Sequence, residues 1–179
     1  MEDKELLNKI RTPETRNEGF SMLVKIYQQK IYWHVRKIVV DHDDADDLTQ
    51  EIFIKINKYI DDFREDSQLY TWIYRIATNE CLSFLKQKKR RFLLPIHDVA
   101  AELTTKLDSG NYVSGDEIQL KLQRALIKLP DKQRIVFNMK YFDDMSYEDI
   151  AEITQTSVGA LKASYHHAVK KIEDFLSQS

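Results

Sequence analysis

The chain has 179 residues, of which 42% are apolar, 31% charged and 11% aromatic. That is room for one medium domain or two small ones with real cores, and it excludes both a large multi-site enzyme and wholesale disorder. Lys and Arg number 27 against 29 Asp and Glu, a formal charge of −2, so any contact with nucleic acid has to come from local patches rather than from the molecule as a polycation.

Cys81 is the single cysteine, which rules out an intrachain disulfide and a multi-cysteine zinc site and points to a reducing compartment. The opening MEDKELLNKI carries acids and lysines where a secretory leader needs a basic start and an apolar core. No apolar run approaches the ~20 residues of a membrane span. A soluble, cytoplasmic protein without stable membrane insertion is the expectation.

In chain order, the stretch from Phe20 to Leu94 has neither glycine nor proline, and its apolar residues recur at helical spacing. Leu23, Tyr27, Ile31, Val35 and Ile38 form one expected buried stripe, and Leu48, Ile52, Ile56 and Ile60 a second. Where the second helix begins, DHDDADDLTQEIF gathers Asp41, Asp43, Asp44, Asp46 and Asp47 before and within the first turn. Carboxylates there suit the positive end of the helix dipole, and Asp44 is the expected N-cap. With Gln50 and Glu51 one turn on, they form an acidic face open to three readings: a solvated helix surface, a dock for a basic protein partner, or a divalent-metal nuclease site.

The third helix, Leu69 to about Arg90, is expected to bury Leu69, Trp72, Ile73, Ile76 and Phe84, and it ends in KQKKRR. Phe63, Tyr70, Trp72 and Tyr74 interleave with Arg64, Arg75, Lys86, Lys88, Lys89, Arg90 and Arg91. Aromatic faces with basic groups suit unstacked bases and their phosphates. The same residues serve equally as core aromatics and as cations answering the negative helix end. Pro95, Gly110 and Gly115 then mark residues 92–116 as a tether.

From Glu117 the helical pattern resumes to Phe175. Ser146, followed three residues later by Asp149, resembles a capping box ahead of inward-facing Ile150 and Ile153. After a turn at Gln155-Thr156, Ser157 caps a second helix with Val158, Leu161, Tyr165, Ala168, Ile172 and Leu176 on its inner side. Two short helices joined so tightly read as a helix-turn-helix, whose second member offers Gly159, Ala160, Lys162, Ala163, Ser164, His166 and His167 outward. A plain helical hairpin has the same spacing. His166 and His167 point about 100° apart and do not make a metal site.

The order of these features, an acidic helix, an aromatic and basic helix, a tether and a helix-turn-helix, resembles the extracytoplasmic-function (ECF) group of bacterial sigma factors over nearly the whole chain. DADDLTQEIFIKI, from Asp44 to Ile56, is similar to the family's region 2.2 helix, and FREDSQLYTWIYRIATNECLSFL to regions 2.3 and 2.4. ALIKLPDKQRIVFNMKYFDDMSYEDIAEI and SVGALKASYHHAVKKI look like regions 4.1 and 4.2. The resemblance implies an all-α fold of two small helical domains, 1–91 and 117–179, joined by a flexible linker at 92–116, the C-terminal domain holding the helix-turn-helix.

It also implies roles. Asp47, Gln50 and Glu51 contact core RNA polymerase, and Phe137 and Tyr141 lie where the family packs on the polymerase flap. Arg64, Ser67 and Tyr70 belong to the loop that captures an extruded base of the −10 element, with Trp72, Arg75, Asn79, Lys86, Lys89 and Arg90 on the −10-reading helix. Ser157, Ala160, Lys162, Ala163, Ser164 and His167 fall on the −35 reader. Ser164 and His167 stand where members often carry arginines, which implies weaker or redirected readout of guanine.

No catalytic residue, metal or cofactor is implied. The implied partners are core RNA polymerase, promoter DNA and an anti-sigma factor, the chain being a non-enzymatic monomer when free. Two other functions fit parts of the pattern: a stand-alone helix-turn-helix regulator, which predicts a dimer on palindromic sites, and the aspartate-based nuclease.

Overall fold

The structure, a computed structural model, describes residues 2–91, 104–105 and 117–178, so the tether expected at 92–116 falls, but for two residues, outside the described part. Four helices come from the N-terminal half: α1 (Asp3–Arg11), α2 (Arg16–Val39), α3 (His42–Tyr59) and α4 (Leu69–Arg91). From residue 117 on, the described residues form α5 (Glu117–Ile127), α6 (Asp131–Phe137), α7 (Tyr147–Thr154) and α8 (Val158–Ser177). Among the described residues there is no strand, and no helix is long and apolar enough to cross a membrane.

The expected stripes of α2 and α3 are buried along their whole length. α1 lies against α2 so closely that a Cβ on Gly19 would sit 2.8 Å from the Ile10 backbone nitrogen, which explains a glycine inside a helix despite its poor propensity. The chain then reverses through Val40 and Asp41. Val40 takes φ 68°, a conformation costly for a β-branched side chain.

Two local expectations are corrected. The N-cap of α3 is Asp41, whose carboxylate accepts the Asp44 N–H at 2.9 Å, while the Asp44 carboxylate faces Lys88 at 3.3 Å. On α4 the buried stripe is Leu69, Ile73, Ala77, Cys81 and Leu85 at four-residue steps, and Trp72, Ile76 and Phe84 are half-buried beside it. The sequence spacing allowed both stripes. Packing of α4 on α2 and α3 chose the one whose small members, Ala77 and Cys81, permit close approach.

The helix-turn-helix forms as its caps require. The Ser146 hydroxyl accepts the Asp149 N–H at 3.1 Å, Gln155 turns the chain in the left-handed region at φ 55°, and the Ser157 hydroxyl accepts the Ala160 N–H at 3.2 Å. Ile150, Ile153, Leu161, Ala168 and Ile172 are buried, whereas Leu176, expected inside, is 37% exposed. Between α6 and α7 a wide π turn, Asn138–Phe142, carries the chain back toward α2.

Burial does not divide at the tether. Ile135, Val136, Met139, Met145, Ile150 and Ile153 share one continuous core with α2, α3 and α4, and a smaller cluster of Ala125, Leu126, Leu129, Phe137, Ala168 and Ile172 lies under α5 and α8.

Candidate nucleic-acid and partner interfaces

Three surfaces carry the residues singled out by sequence. On α3, Asp47, Gln50 and Glu51 all face solvent. Three apolar side chains of α2 and α3 that the spacing did not single out are also uncovered: Trp33 is 50% exposed, and Ile26 and Ile54 are exposed as well. Trp33, Asp46 and Gln50 line a groove of about 460 Å³, and Phe53 and Ile54 a second of about 340 Å³ that shares Gln50. Trp33 and Ile26 had a signal in the sequence, since they are large apolar residues off the stripe that α2 buries. An acid rim around uncovered aromatic and aliphatic groups is the composition of a protein-docking surface.

The second surface is α4 with the loop before it. Arg64 is exposed and Ser67 half-buried in that loop, whose Glu65 takes φ 62°. Arg11 of α1 pins the loop, with Nη1 donating to the Glu65 carboxylate at 2.5 Å and Nη2 to the Phe63 carbonyl at 2.6 Å. Arg16 holds Asp61 with one guanidinium nitrogen on both carboxylate oxygens, at 2.9 and 3.0 Å. Charge-assisted bonds of this kind fix geometry as well as add energy. Arg11 had no sequence signal, because its partners lie more than fifty positions away.

Trp72 is half-buried with its ring 5.2 Å from that of Phe63, and Arg75 is half-buried. Asn79, Lys86 and Arg90 are exposed. Lys89 is different: it is half-buried in an ion pair with Asp131 of α6 at 2.5 Å. Tyr70 is half-buried too, and burial followed by the neighbouring Asp149 carboxylate pushes its hydroxyl up to about 12.

The third surface is the outer face of α8. Ala160, Lys162, Ala163 and His167 are exposed and Ser164 is half-buried, while the Ser157 hydroxyl is engaged as the helix cap. Asn79 of α4 and Ala160 and Ser164 of α8 line one cleft of about 250 Å³. Of the two aromatics expected on the polymerase-facing side of this half, only Tyr141 is at the surface, at 58% exposure. Phe137 is buried, stacked 5.1 Å from the Tyr141 ring and 5.7 Å from Tyr165. It supports that face from below, with Phe142 the other exposed member. Among the described residues no group of three or more His, Cys, Asp or Glu side chains is placed to hold a metal ion.

Residues 23–91 match the Sigma-70 region 2 family and residues 119–172 the Sigma-70, region 4 family. The RNA polymerase sigma-H factor of Pseudomonas aeruginosa is 31% identical over 98% of this chain and 94% of its own length. The chain belongs to the sigma-70 family. Its ECF membership follows from further relatives. The ECF RNA polymerase sigma-E factor of Escherichia coli K12 is 32% identical over 92% of this chain and 90% of the relative. The ECF RNA polymerase sigma factor SigW of Bacillus subtilis is 31% identical over 83% and 84%.

Two solved structures share the fold of this ECF sigma factor. CnrH, in complex with the cytosolic domain of CnrY, aligns with a TM-score of 0.71 over 99% of this chain and 98% of that one at 19% identity. The sigma factor RpoE in complex with the anti-sigma factor NepR from Bartonella quintana aligns with a TM-score of 0.68 over 88% and 96% at 22% identity. As a member of this family the chain directs promoter-specific initiation of transcription, and the family is a non-catalytic specificity subunit of RNA polymerase.

Proposed function

We propose that the three surfaces divide the work of a cytoplasmic, non-enzymatic sigma factor between residues 1–91 and 117–179. The α3 face, Asp47, Gln50 and Glu51 with Trp33 and Ile54, docks on core RNA polymerase, and Tyr141 and Phe142 over Phe137 dock on the polymerase flap. The loop Arg64, Ser67 and Tyr70 receives an extruded base of the −10 strand, and Trp72, Arg75, Asn79, Lys86, Lys89 and Arg90 follow that strand. The −35 element meets Ser157, Ala160, Lys162, Ala163, Ser164 and His167. An anti-sigma factor is the expected protein antagonist, in line with the partner chains of the two structural relatives.

The observation that carries this reading is the pinned loop at the head of α4. Extruding a base costs a few kcal/mol, so a receiving loop gains from being ordered beforehand, and Arg11 orders this one through two charge-assisted bonds. Near-neutral overall charge supports the same division, because a subunit that rides on polymerase need not supply most of the phosphate contacts itself.

The test adds the purified chain to sigma-free bacterial core polymerase on fragmented genomic DNA and sequences transcript 5′ ends. New starts downstream of a shared two-part motif are expected. A folded chain that leaves core polymerase silent would return the helix-turn-helix to a stand-alone regulator.

A further inference from the structure

The match to Sigma-70 region 2 begins at residue 23, so α1 and the corner that joins it to α2 stand outside it. That corner is firmly built. Leu6, Leu7 and Ile10 bury α1 on α2, the Thr15 hydroxyl donates to the Lys9 carbonyl at 2.8 Å, and Lys9 pairs with Glu18 at 3.1 Å. Arg11, the last residue of α1, and Arg16, the first of α2, are carried on it.

Both guanidinium groups reach the same stretch of chain, the connection from α3 to α4. Arg16 takes its near end, donating to both oxygens of Asp61 and from Nη2 to the Asn57 carbonyl at 3.2 Å in the last turn of α3. Arg11 takes the middle, holding the Phe63 carbonyl and the Glu65 carboxylate at once, which flank Arg64 on either side. Glu65 lies in the left-handed region at φ 62°, which a residue with a Cβ adopts at a cost and keeps where its surroundings hold it. Ion pairs as exposed as these two add little to stability. What they supply is position, because one planar fork on a carbonyl and a carboxylate fixes the backbone between them.

We propose that α1 is a specificity element for the −10 strand and that Arg11 is its positioning residue: without touching DNA, it sets base choice at the extruded position by fixing the backbone on both sides of Arg64. The proposal rests on reading Arg64, Ser67 and Tyr70 as the loop that receives that base. Telling one base from another requires a receiving surface of fixed shape, whereas a loop free to repack accommodates the wrong base as well. Loss of Arg11 therefore relaxes the choice of base more than it weakens binding.

The test uses the full chain with core polymerase. A promoter found on fragmented genomic DNA is resynthesised with its −10 and −35 elements randomised and a transcribed barcode on each template, and transcripts are counted for the unmodified chain and for Arg11→Ala. The unmodified chain should favour the best base over the worst at one −10 position by about tenfold or more, and Arg11→Ala should cut that ratio about fivefold, the scale of one base that is read. Base ratios in the −35 element and affinity for core polymerase should not change. An unaltered ratio at every −10 position overturns the proposal. So does an equal fall in both elements, which is what a general loosening of the fold would give.

Two measurements keep the question decidable if Arg11→Ala folds poorly. Glu65→Gln keeps the shape of an exposed loop side chain and removes the charge that Arg11 grips, so it should relax the same −10 position, and the double variant should be no more relaxed than Arg11→Ala alone. Additive effects overturn the proposal, since the two residues would then act separately. An Arg11 that held a DNA phosphate would, on removal, lower the salt slope of promoter binding by about one. An unchanged slope is expected, and a lowered slope with intact base ratios overturns the positioning role. Absence of promoter-specific starts from the unmodified chain is a failure of the sigma assignment, whereas starts whose base choice is indifferent to Arg11 are a failure of this inference alone.

Discussion

The two polar faces of the N-terminal half, one on α3 and one on α4, begin from similar sequence and end in different surroundings. Each is a helix with one buried apolar stripe and charged residues off it. The α3 face lies open, with Asp47, Gln50 and Glu51 in solvent and Asp46 and Gln50 sharing a groove with the half-exposed Trp33. The α4 face is partly spoken for, with Lys89 on Asp131 and Tyr70 beside Asp149. The difference shows that a surface's chemistry is set by its residues, whereas its availability is set by what another part of the chain lays on it.

The sharpest way to break this comparison is to attack the open face. Asp47→Lys with Glu51→Lys should weaken binding to core polymerase by about 3 kcal/mol or more, since like charges are placed opposite each other across an interface. Circular dichroism should be unchanged, because neither side chain is buried. Normal affinity by titration calorimetry would take α3 out of the docking surface.

Gly19→Ala tests whether the two halves stand or fall together. Its Cβ would meet the Ile10 backbone at 2.8 Å, so it should destabilise the chain by about 2 kcal/mol, the cost of overpacking. Because one core runs through both halves, a single thermal transition should shift as a whole. Two separate transitions, only one of them moved, would show that the shared core is weakly coupled.

Lys162→Ala, on the uncovered part of α8, should lose a phosphate or base contact of about 1 kcal/mol and lower the salt slope of promoter binding by about one. The effect should be confined to templates that carry a −35 element. Equal loss on templates lacking it would remove Lys162 from that surface.

The smallest expected effect is a pH dependence where Asp143 of the π turn meets His34 and Lys37 of α2. His34 is buried, with Thr78 on Nε2 at 3.0 Å, Asp143 and Lys37 toward Nδ1 and the Tyr74 ring against its face. Burial holds its pKa below the ordinary 6.5, the Asp143 carboxylate opposing this without reversing it. The unfolded chain therefore binds the proton more readily than the folded one, and stability falls as pH drops through 6.5 toward the lower folded value, with a slope that cannot exceed about 1.4 kcal/mol per unit of pH for one proton. His34→Asn should flatten that slope in denaturant titrations between pH 7 and pH 5. An unchanged slope would place the titrating group elsewhere.

Much of the local structure could be read from the residues because it depends on neighbours within a turn or two. Ser146 and Ser157 cap the helices expected of them, for the geometry of a cap needs only three residues. Where two nearby residues could serve, sequence alone misplaced the role, as with Asp44 for Asp41. Trp72 and Ile76 were expected inside because helical spacing allows two adjacent stripes, and only the approach of α2 and α3 selects between them. Phe137 looks like its neighbour Tyr141 in composition, yet one is a core residue and the other a surface one.

The sequence by itself determined the helices, their caps, the all-α class and which side chains carry acid, base and aromatic character, since these follow from spacing and chemistry along the chain. The tertiary structure alone decided that Arg11 pins the loop before α4, that Trp33 stands bare beside the acid face, and that Arg134 and Asp143 close the second half over the first. Each joins residues tens of positions apart, and helical periodicity carries no information about which helix lies across which.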